Sequence, residues 1–373
     1  MALRFHWMLP KSGEMVLKTA QQAAINRIRS TCDISDASLT DMPGWLSFAR
    51  QAELAGIESL LISFSYYEPD PLIISCALGR STTQLKFLAA YRSGLIQPTS
   101  FVQQTNTLSA LIGGRVALNI VAGSSPKEQR GYGDFLDHDQ RYARAEEFLE
   151  ICRTFWQDQG PVNFKGRYYC VEAGNIHTPF SAPARRAPEI YVSGHSQQAQ
   201  QLAFSQGDCW VRTADKPENL SAAVANARKQ DIEVCLRCGI ICRPSWEEAY
   251  RAAQALLPDH IGCSQHETIA SRSNSQMFQQ SMQVQQDDPH WLNQWLWDGL
   301  VPHNGPVWIT LVGTPDTLAK AFLEYRQIGV TQFILSGWPE SDELLIFGRD
   351  VLPRIRDMEL TLEKETQVEL AQR

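Results

Sequence analysis

The stretch "VALNIVAGSSPKEQRGYGDFLDHDQRY", residues 116–142, contains one full unit of the pattern that organises this chain. Residues 116–123 form a short apolar run closed by glycine, the composition of a strand covered on both faces. The chain then turns through Gly123, Ser124 and Ser125 and enters a helix whose start carries His138 and Tyr142. Asn119 breaks the apolar run, in phase with Ala117, Val121 and Gly123. A buried amide left unpaired costs about 1–3 kcal/mol. Asn119 therefore needs a partner, either in the neighbouring protein groups or on a bound molecule.

The same strand-then-helix unit recurs along the chain. Strand-like runs lie at 3–9, 58–64, 85–91, 116–123, 189–194, 208–213, 233–242 and 331–337. Amphipathic helical segments separate them, among them "DMPGWLSFARQAELAGI", "TSFVQQTNTLSALIGG" and "TPDTLAKAFLEYRQIG". Eight strands alternating with helices predict an α/β fold, a single (β/α)8 TIM barrel spanning residues 1–373. An open doubly wound sheet usually has fewer strands, and no G-x-G-x-x-G follows the first one. Insertions are expected after strands 1, 4 and 7, at residues 10–40, 159–188 and 257–309. The second contains "VNFKGRYYCVEAGNI", which predicts a small hairpin. The third turns Trp-rich in "HWLNQWLWDGLV" and is the candidate lid, with Trp291, Trp295 and Trp297 either covering the cavity or packing the insertion onto the barrel. Residues 357–373 are charged and predict a solvated helix or tail.

Bulk properties exclude several classes. The formal net charge of -7 argues against a nucleic-acid phosphate track. No run reaches the roughly 18 consecutive apolar residues of a membrane span. The first residues lack the pattern of a signal peptide, so a cytoplasmic location is expected. Nine cysteines without such a peptide argue for reduced thiols. Cys235 and Cys238 have the spacing of a metal pair, but in a strand positions three apart point to opposite faces, and no metal site is expected.

Chemistry in this fold sits at the carboxyl ends of the strands. The fifth strand ends in Ser193, Gly194, His195 and Ser196 at a helix start, an arrangement that suits a phosphate and equally suits a plain helix cap. In the seventh strand, alternation turns Val234, Leu236 and Cys238 towards the helices and Cys235, Arg237 and Gly239 towards the barrel axis. An inward arginine needs a counter-charge, and either a ligand or an inward carboxylate such as Glu68 or Asp70 would supply it.

Together, "FHWMLP", "LKFLAAYRSGLIQPT", "GGRVALNIVAGSSPKE", "FLDHDQRYARAEEF", "YVSGHS" and "QFILSGWP" resemble the bacterial luciferase-like flavin monooxygenases, nearest to the alkanesulfonate monooxygenase branch. The resemblance implies a barrel that binds FMN as FMNH2, delivered by a separate NAD(P)H-dependent flavin reductase. Dioxygen is the co-substrate and forms a peroxyflavin. It also implies a homodimer or homotetramer. Carried over by position, Asn119, Gly123, His138, Tyr142 and Tyr91 would line the flavin pocket, and Ser193, Gly194, His195 and Ser196 would hold its phosphate. Family members often carry a non-proline cis bond near the end of strand three, here around Ala89 to Tyr91.

The departures from the family concern substrate. Glu68 stands where sulfonate enzymes carry a cysteine, Gly239 replaces a histidine two residues after Arg237, and Trp338 replaces a tyrosine. His303 lies near the place of a mobile-loop arginine. Arg237, Trp338 and Glu68 are thus the candidate catalytic residues; the added carboxylate and the lost loop cation disfavour an anionic sulfonate head group, and Trp338 with Gly239 suggests a reshaped, more apolar cavity. The expected function is oxygenation of a small organic or carrier-tethered substrate. The alternatives are an alkanesulfonate monooxygenase releasing sulfite and aldehyde, a deazaflavin-dependent oxidoreductase, and an inactive flavin binder.

Overall fold

A computed structural model describes residues 2–10, 42–66, 68–123, 125–157, 160–257, 290–301 and 306–371. In chain order its strands are β1 (Arg4–Met8), β2 (Ser59–Ile62), β3 (Lys86–Arg92), β4 (Val116–Val121), β5 (Val162–Lys165), β6 (Cys170–Gly174), β7 (Glu189–Ser193), β8 (Cys209–Thr213), β9 (Glu233–Cys242), β10 (Leu296–Trp297), β11 (Thr310–Gly313) and β12 (Gln332–Ser336). The helices used below are α1 (Met42–Leu54), α2 (Pro71–Gly79), α3 (Pro98–Leu111), α4 (Pro126–Gly131), α5 (His138–Gln157), α6 (Gln197–Gln206), α7 (Pro217–Lys229), α8 (Trp246–Gln254), α9 (Pro315–Ile328), α10 (Glu340–Ile346) and α11 (Leu352–Ala371).

Eight strands, β1, β2, β3, β4, β7, β8, β9 and β12, pair in parallel, and β12 returns to β1 to close the ring. All eight strand-like runs of the sequence are barrel strands, and the expected hairpin is the antiparallel pair β5–β6. Strand β9 is ten residues long because it serves two partners. Its first half lies between β8 and β12, while Gly239–Cys242 pairs with β11, itself paired with β10.

Local sequence explains the helix boundaries. Proline opens α2, α3, α4, α7 and α9, where its missing N–H is not needed. The Asp70 carboxylate caps α2 by accepting from Leu72 N (2.9 Å) and Ile73 N (3.0 Å). Gly329, at φ +107°, stops α9 in a left-handed conformation that side-chain-bearing residues rarely adopt. The charged C-terminal segment continues α11, whose Glu359 is buried and accepts Leu3 N at 2.6 Å.

Inside the ring the side chains stack in layers. At the amino-terminal floor, the Arg4 guanidinium donates bidentately to Glu58 (2.7 and 2.8 Å) and to Glu189 (2.7 and 2.9 Å), and reaches Glu233 at 3.2 Å. Above it, Ser59 donates to His6 Nδ1 (2.7 Å), and His6 Nε2 donates to Gln332 Oε1 (2.8 Å), which also accepts from the Tyr191 hydroxyl (2.7 Å). Both His6 nitrogens are satisfied by the neutral ring. An apolar layer follows, built from Leu61, Leu88, Ala90, Ala117, Cys209, Val211, Cys235 and Ile334. Cys235 lies in this layer while Cys238 packs outside against the helices, so the two are on opposite faces of the sheet.

The described part of the third insertion is packed onto the barrel's outside. Trp295 (2 % exposed) stands edge-on to Tyr325 with ring centroids 5.4 Å apart. Trp297 is fully buried in a satellite core with Trp308 and Trp338. Trp291 lies between Trp246 and Tyr250. These tryptophans anchor the insertion, and none of them borders the cavity at the barrel mouth. No described helix is long and apolar enough to cross a membrane.

Burial alone would raise the Glu58 pKa, but the hydrogen bond from Arg4 and the nearby charges outweigh it and hold it at about 2, below the usual 4.5. Burial pushes His6 down to about 4 from 6.5. For both groups the unfolded chain binds the proton first as pH falls. Stability from the neutral His6 is therefore lost between pH 6.5 and about 4, and stability from Glu58 between pH 4.5 and about 2. Arg4→Ala leaves buried Glu189 and half-buried Glu58 without their cation and is expected to lower unfolding free energy by about 3 kcal/mol, the low end for a broken buried pair. Urea denaturation at neutral pH checks this, and an unchanged midpoint would remove the floor's structural role. Trp295→Ala is expected to cost about 3–5 kcal/mol in the same assay.

Candidate active site at the barrel mouth

The carboxyl ends of the strands open into a pocket of about 440 Å³, within the range of small-molecule sites. Its lining includes Asn119, Gly123, His138 and Tyr142 from one side and Ser193, Gly194, His195 and Ser196 from the other, with Arg237 between strand ends. The fold thus brings together most of the residues singled out in the sequence.

Asn119 is placed by the register of β4 with β7, in which it pairs with Tyr191. The Ser193 hydroxyl donates to Asn119 Oδ1 at 2.6 Å, which orients the carboxamide and leaves its amino end for another acceptor. Beyond β4 the chain must turn sharply. Gly123 has φ +82°, and a Cβ there would stand 2.6 Å from Gln129 Nε2 and 3.1 Å from Arg92 Nε. Arg141 holds the loop by donating from Nε to Ala122 O (3.0 Å) and from Nη1 to Leu136 O (2.8 Å). His138, at the first turn of α5, has its Nδ1 2.8 Å from Asp139, and its ring centroid is 5.0 Å from that of Tyr142.

The turn after β7 is built for close approach. Gly194 has φ +148°, and a Cβ at this position would fall 2.6 Å from the Ala199 Cβ and 2.9 Å from the Tyr142 hydroxyl. Ser196 caps α6 by accepting Ala199 N at 3.1 Å. Burial raises the Tyr142 pKa, offset in part by its hydrogen bond with Ser196. Trp210 Nε1 donates to Gly194 O at 2.9 Å. Thr213 N donates to His195 Nε2 at 2.9 Å, so that nitrogen is bare and the ring carries its proton on Nδ1. Burial, and secondarily the Arg212 charge, push the His195 pKa down to about 3. His195 is therefore a neutral hydrogen-bond donor and not an acid.

Arg237 faces the axis as alternation predicts, with Nη2 2.9 Å from Met8 Sδ. Gly239 does not open space for a ligand, because a Cβ there would meet Thr310 Oγ1 at 2.5 Å and the room is filled by β11.

Three candidates lie elsewhere. Tyr91 turns towards the helices, where its ring lies 4.1 Å from that of Phe101. The strand period explains this: Leu88 and Ala90 point inward, so Arg92 does too and Tyr91 cannot. Glu68 borders a small space between Leu9, Trp45 and Ile62, outside the pocket. Trp338 stacks on Trp308 at 5.6 Å in the satellite core. The peptide bonds at Ala89 to Tyr91 are trans, in keeping with unbroken β3–β4 pairing from Phe87 to Arg92. Among the described residues the cis bond is Trp338–Pro339. His303 lies outside the described residues.

Other lining residues escaped the sequence reading. Buried Arg92 enters the lining through the alternation of β3 and is paired with Glu128 at 3.2 Å. Glu128 also accepts Tyr66 N at 2.8 Å, joining the loops after β2 and β4. Phe64 lies beneath the Arg92 guanidinium at 5.1 Å. Arg212, at the end of β8, borders the pocket beside His195. Among the described residues no group of His, Cys, Asp and Glu could hold a metal ion.

A closed parallel barrel with a pocket at the carboxyl ends of its strands defines a (β/α)8 protein. The chain belongs to the luciferase-like monooxygenase family, whose pattern matches residues 19–332. Solved structures agree on the fold. EDTA monooxygenase from Chelativorans sp. BNC1 superposes with a TM-score of 0.76 at 19 % identity, covering 96 % of this chain and 94 % of that one. The oxygenating constituent of 3,6-diketocamphane monooxygenase from Pseudomonas putida, solved with FMN, gives 0.61 at 18 % identity, covering 95 % and 99 %. The coenzyme F420 dependent tetrahydromethanopterin reductase from Methanopyrus kandleri gives 0.63 at 14 %, covering 95 % and 100 %.

The His195 geometry makes a prediction that needs no ligand. Nitrogen-edited NMR of ring-labelled protein is expected to show an Nδ1–H tautomer that does not titrate between pH 5 and pH 8; a midpoint near the ordinary 6.5 would contradict the buried, neutral assignment.

Proposed function

We propose that the protein is a flavin-dependent monooxygenase that takes FMNH2 and O2 and oxygenates an organic substrate in the pocket at the barrel mouth. The observation that carries this reading is the pocket itself, in which the turn of Ser193, Gly194, His195 and Ser196 at the start of α6 lines one cavity with Asn119, His138 and Tyr142. A phosphate is the anion such a turn favours. The fit extends along the pocket. Asn119, oriented by Ser193, offers an amide to a polar ring edge, and Leu61, Ala90 and Val121 offer it an apolar bed. The family match and the barrel superpositions support the same reading.

When bound, reduced FMN supplies the electrons that allow one oxygen atom of O2 to enter the substrate while the other leaves as water. The chain's own residues bind, orient and shield. The Ser193–Ser196 turn holds the phosphate end, Asn119 sets the ring, and neutral His195 donates from Nδ1 without adding charge. The apolar layer beneath the pocket gives it a packed base. Reduction of the flavin is assigned to a separate NAD(P)H-dependent reductase, and a homodimer or homotetramer is the assembly this reading carries.

The substrate argument changes with the structure. Glu68, which argued against a sulfonate, and Trp338, which suggested an apolar cavity, lie outside the lining, whereas Arg92, Arg212 and Arg237 are part of it. Alkanesulfonates therefore belong in the substrate panel.

The test is anaerobic titration of the protein with FMNH2, followed by oxygen and a panel of small carbonyl compounds, alkanes and alkanesulfonates. Saturable FMNH2 binding with incorporation of isotopically labelled dioxygen into product is expected. Sulfite release would select the sulfonate branch. Binding of a deazaflavin in place of FMN, or flavin binding without product from any of the panel, would overturn the oxygenase reading. Gly194→Val is expected to weaken FMN binding by at least about tenfold, because the added side chain collides with Ala199 and the Tyr142 hydroxyl and displaces the turn that lines the pocket; unaltered affinity would remove the turn from the site.

A further inference from the structure

Arg212 differs from the other charged side chains of the barrel mouth. Arg92 is paired with Glu128, Arg144 with Asp134 at 2.6 Å, and Arg243 with Glu343 at 2.5 Å. Arg212 forms no ion pair among the described residues, although the Asp215 charge acts on it; like Arg92 and Arg144 it has a buried Nε without a hydrogen-bond partner. Its guanidinium lies instead over the Trp210 indole, 4.7 Å from the ring centroid. That arrangement holds the cation in place without neutralising it.

The same indole fixes the phosphate turn, since Trp210 Nε1 donates to Gly194 O. One side chain thus sets both the turn and the cation beside it. Arg212 and His195 line the same pocket, and the Arg212 charge adds to burial in lowering the His195 pKa. Burial also lowers the Arg212 pKa, so an anion arriving beside it would relieve a real electrostatic cost.

We infer that Arg212 is the counter-ion of a phosphate monoester held at the Ser193–Ser196 turn, which on the flavin reading above is the FMN phosphate. A phosphate monoester carries close to two negative charges at neutral pH, and a partly desolvated guanidinium matches its oxygens with parallel N–H donors. Ser196, the Tyr142 hydroxyl and the start of α6 supply neutral donors to the same group, while Arg212 supplies the charge. Arg237 on the barrel axis is then left for the reacting end of the pocket.

The experiment compares oxidised FMN with riboflavin, which lacks the phosphate, on the wild-type protein and on Arg212→Gln. Affinities are read by flavin fluorescence quenching over a range of ionic strength. The wild type is expected to prefer FMN to riboflavin by about a hundredfold, and Arg212→Gln to lose at least about tenfold in FMN affinity with riboflavin within about twofold of wild type. FMN binding is expected to weaken with added salt in the wild type and less steeply in the variant. Unchanged riboflavin affinity also shows that the variant is folded. Equal losses for both flavins, no loss for either, or a wild type indifferent to the phosphate would overturn the counter-ion role while leaving a flavin pocket in place. A wild type that binds neither flavin would overturn both readings.

Discussion

One guanidinium closes the floor of this barrel. Arg4 of β1 is bonded to carboxylates at the start of β2, in β7 and in β9, so a single side chain ties together four points around the ring. The network demands one register. A slip of one residue in β7 would turn Glu189 outward and leave the guanidinium short of two bonds in a site that water barely reaches. Charge in the core is tolerated here because each carboxylate oxygen facing Arg4 is matched, and the depressed Glu58 pKa expresses that match.

The layers above follow from the floor. His6, Gln332 and Tyr191 exchange hydrogen bonds with neutral groups, and the next layer is apolar. The layers below are filled, and the pocket bordered by Asn119, Ser193 and Arg237 lies at the carboxyl end. There the strands stop and the loops take over. Glycines at 123 and 194 let the loops pack closely against Gln129, Arg92, Ala199 and Tyr142 around the pocket, which is polar where Asn119 and Ser193 interrupt apolar strands. Rigid strand ends carry the groups that must be oriented, and the loops are tied back by buried arginines such as Arg141.

The electrostatic character of the mouth is a matter of which residues the fold admits to it. Glu68 and Trp338 are near the right strands in the sequence, yet one lies in a side crevice and the other under the inserted segment. In their place come Arg92, matched by Glu128, and Arg212, supported by Trp210. The pocket is more cationic than its listing by motif suggested, and His195, neutral at its pKa of about 3, adds no charge to it.

Strand periodicity by itself determined the eight-stranded ring, the inward side of β9 and the placement of Asn119 and Arg237, because a buried strand reads directly as an apolar run whose alternate residues share a face. The same alternation contained Arg92, since residues 88, 90 and 92 share one face of β3. The cap at Ser196 and the turn at Gly194 were legible for the same local reason, that backbone conformation constrains residue type. What only the tertiary structure decided are contacts between segments far apart in the chain: Gly239 filled by Thr310, Trp295 seated on Tyr325, Glu68 turned aside and Trp210, under Arg212, bonded to the turn at Gly194. Such contacts depend on side-chain volume and on where a loop crosses another strand's end, and no period along the chain encodes either.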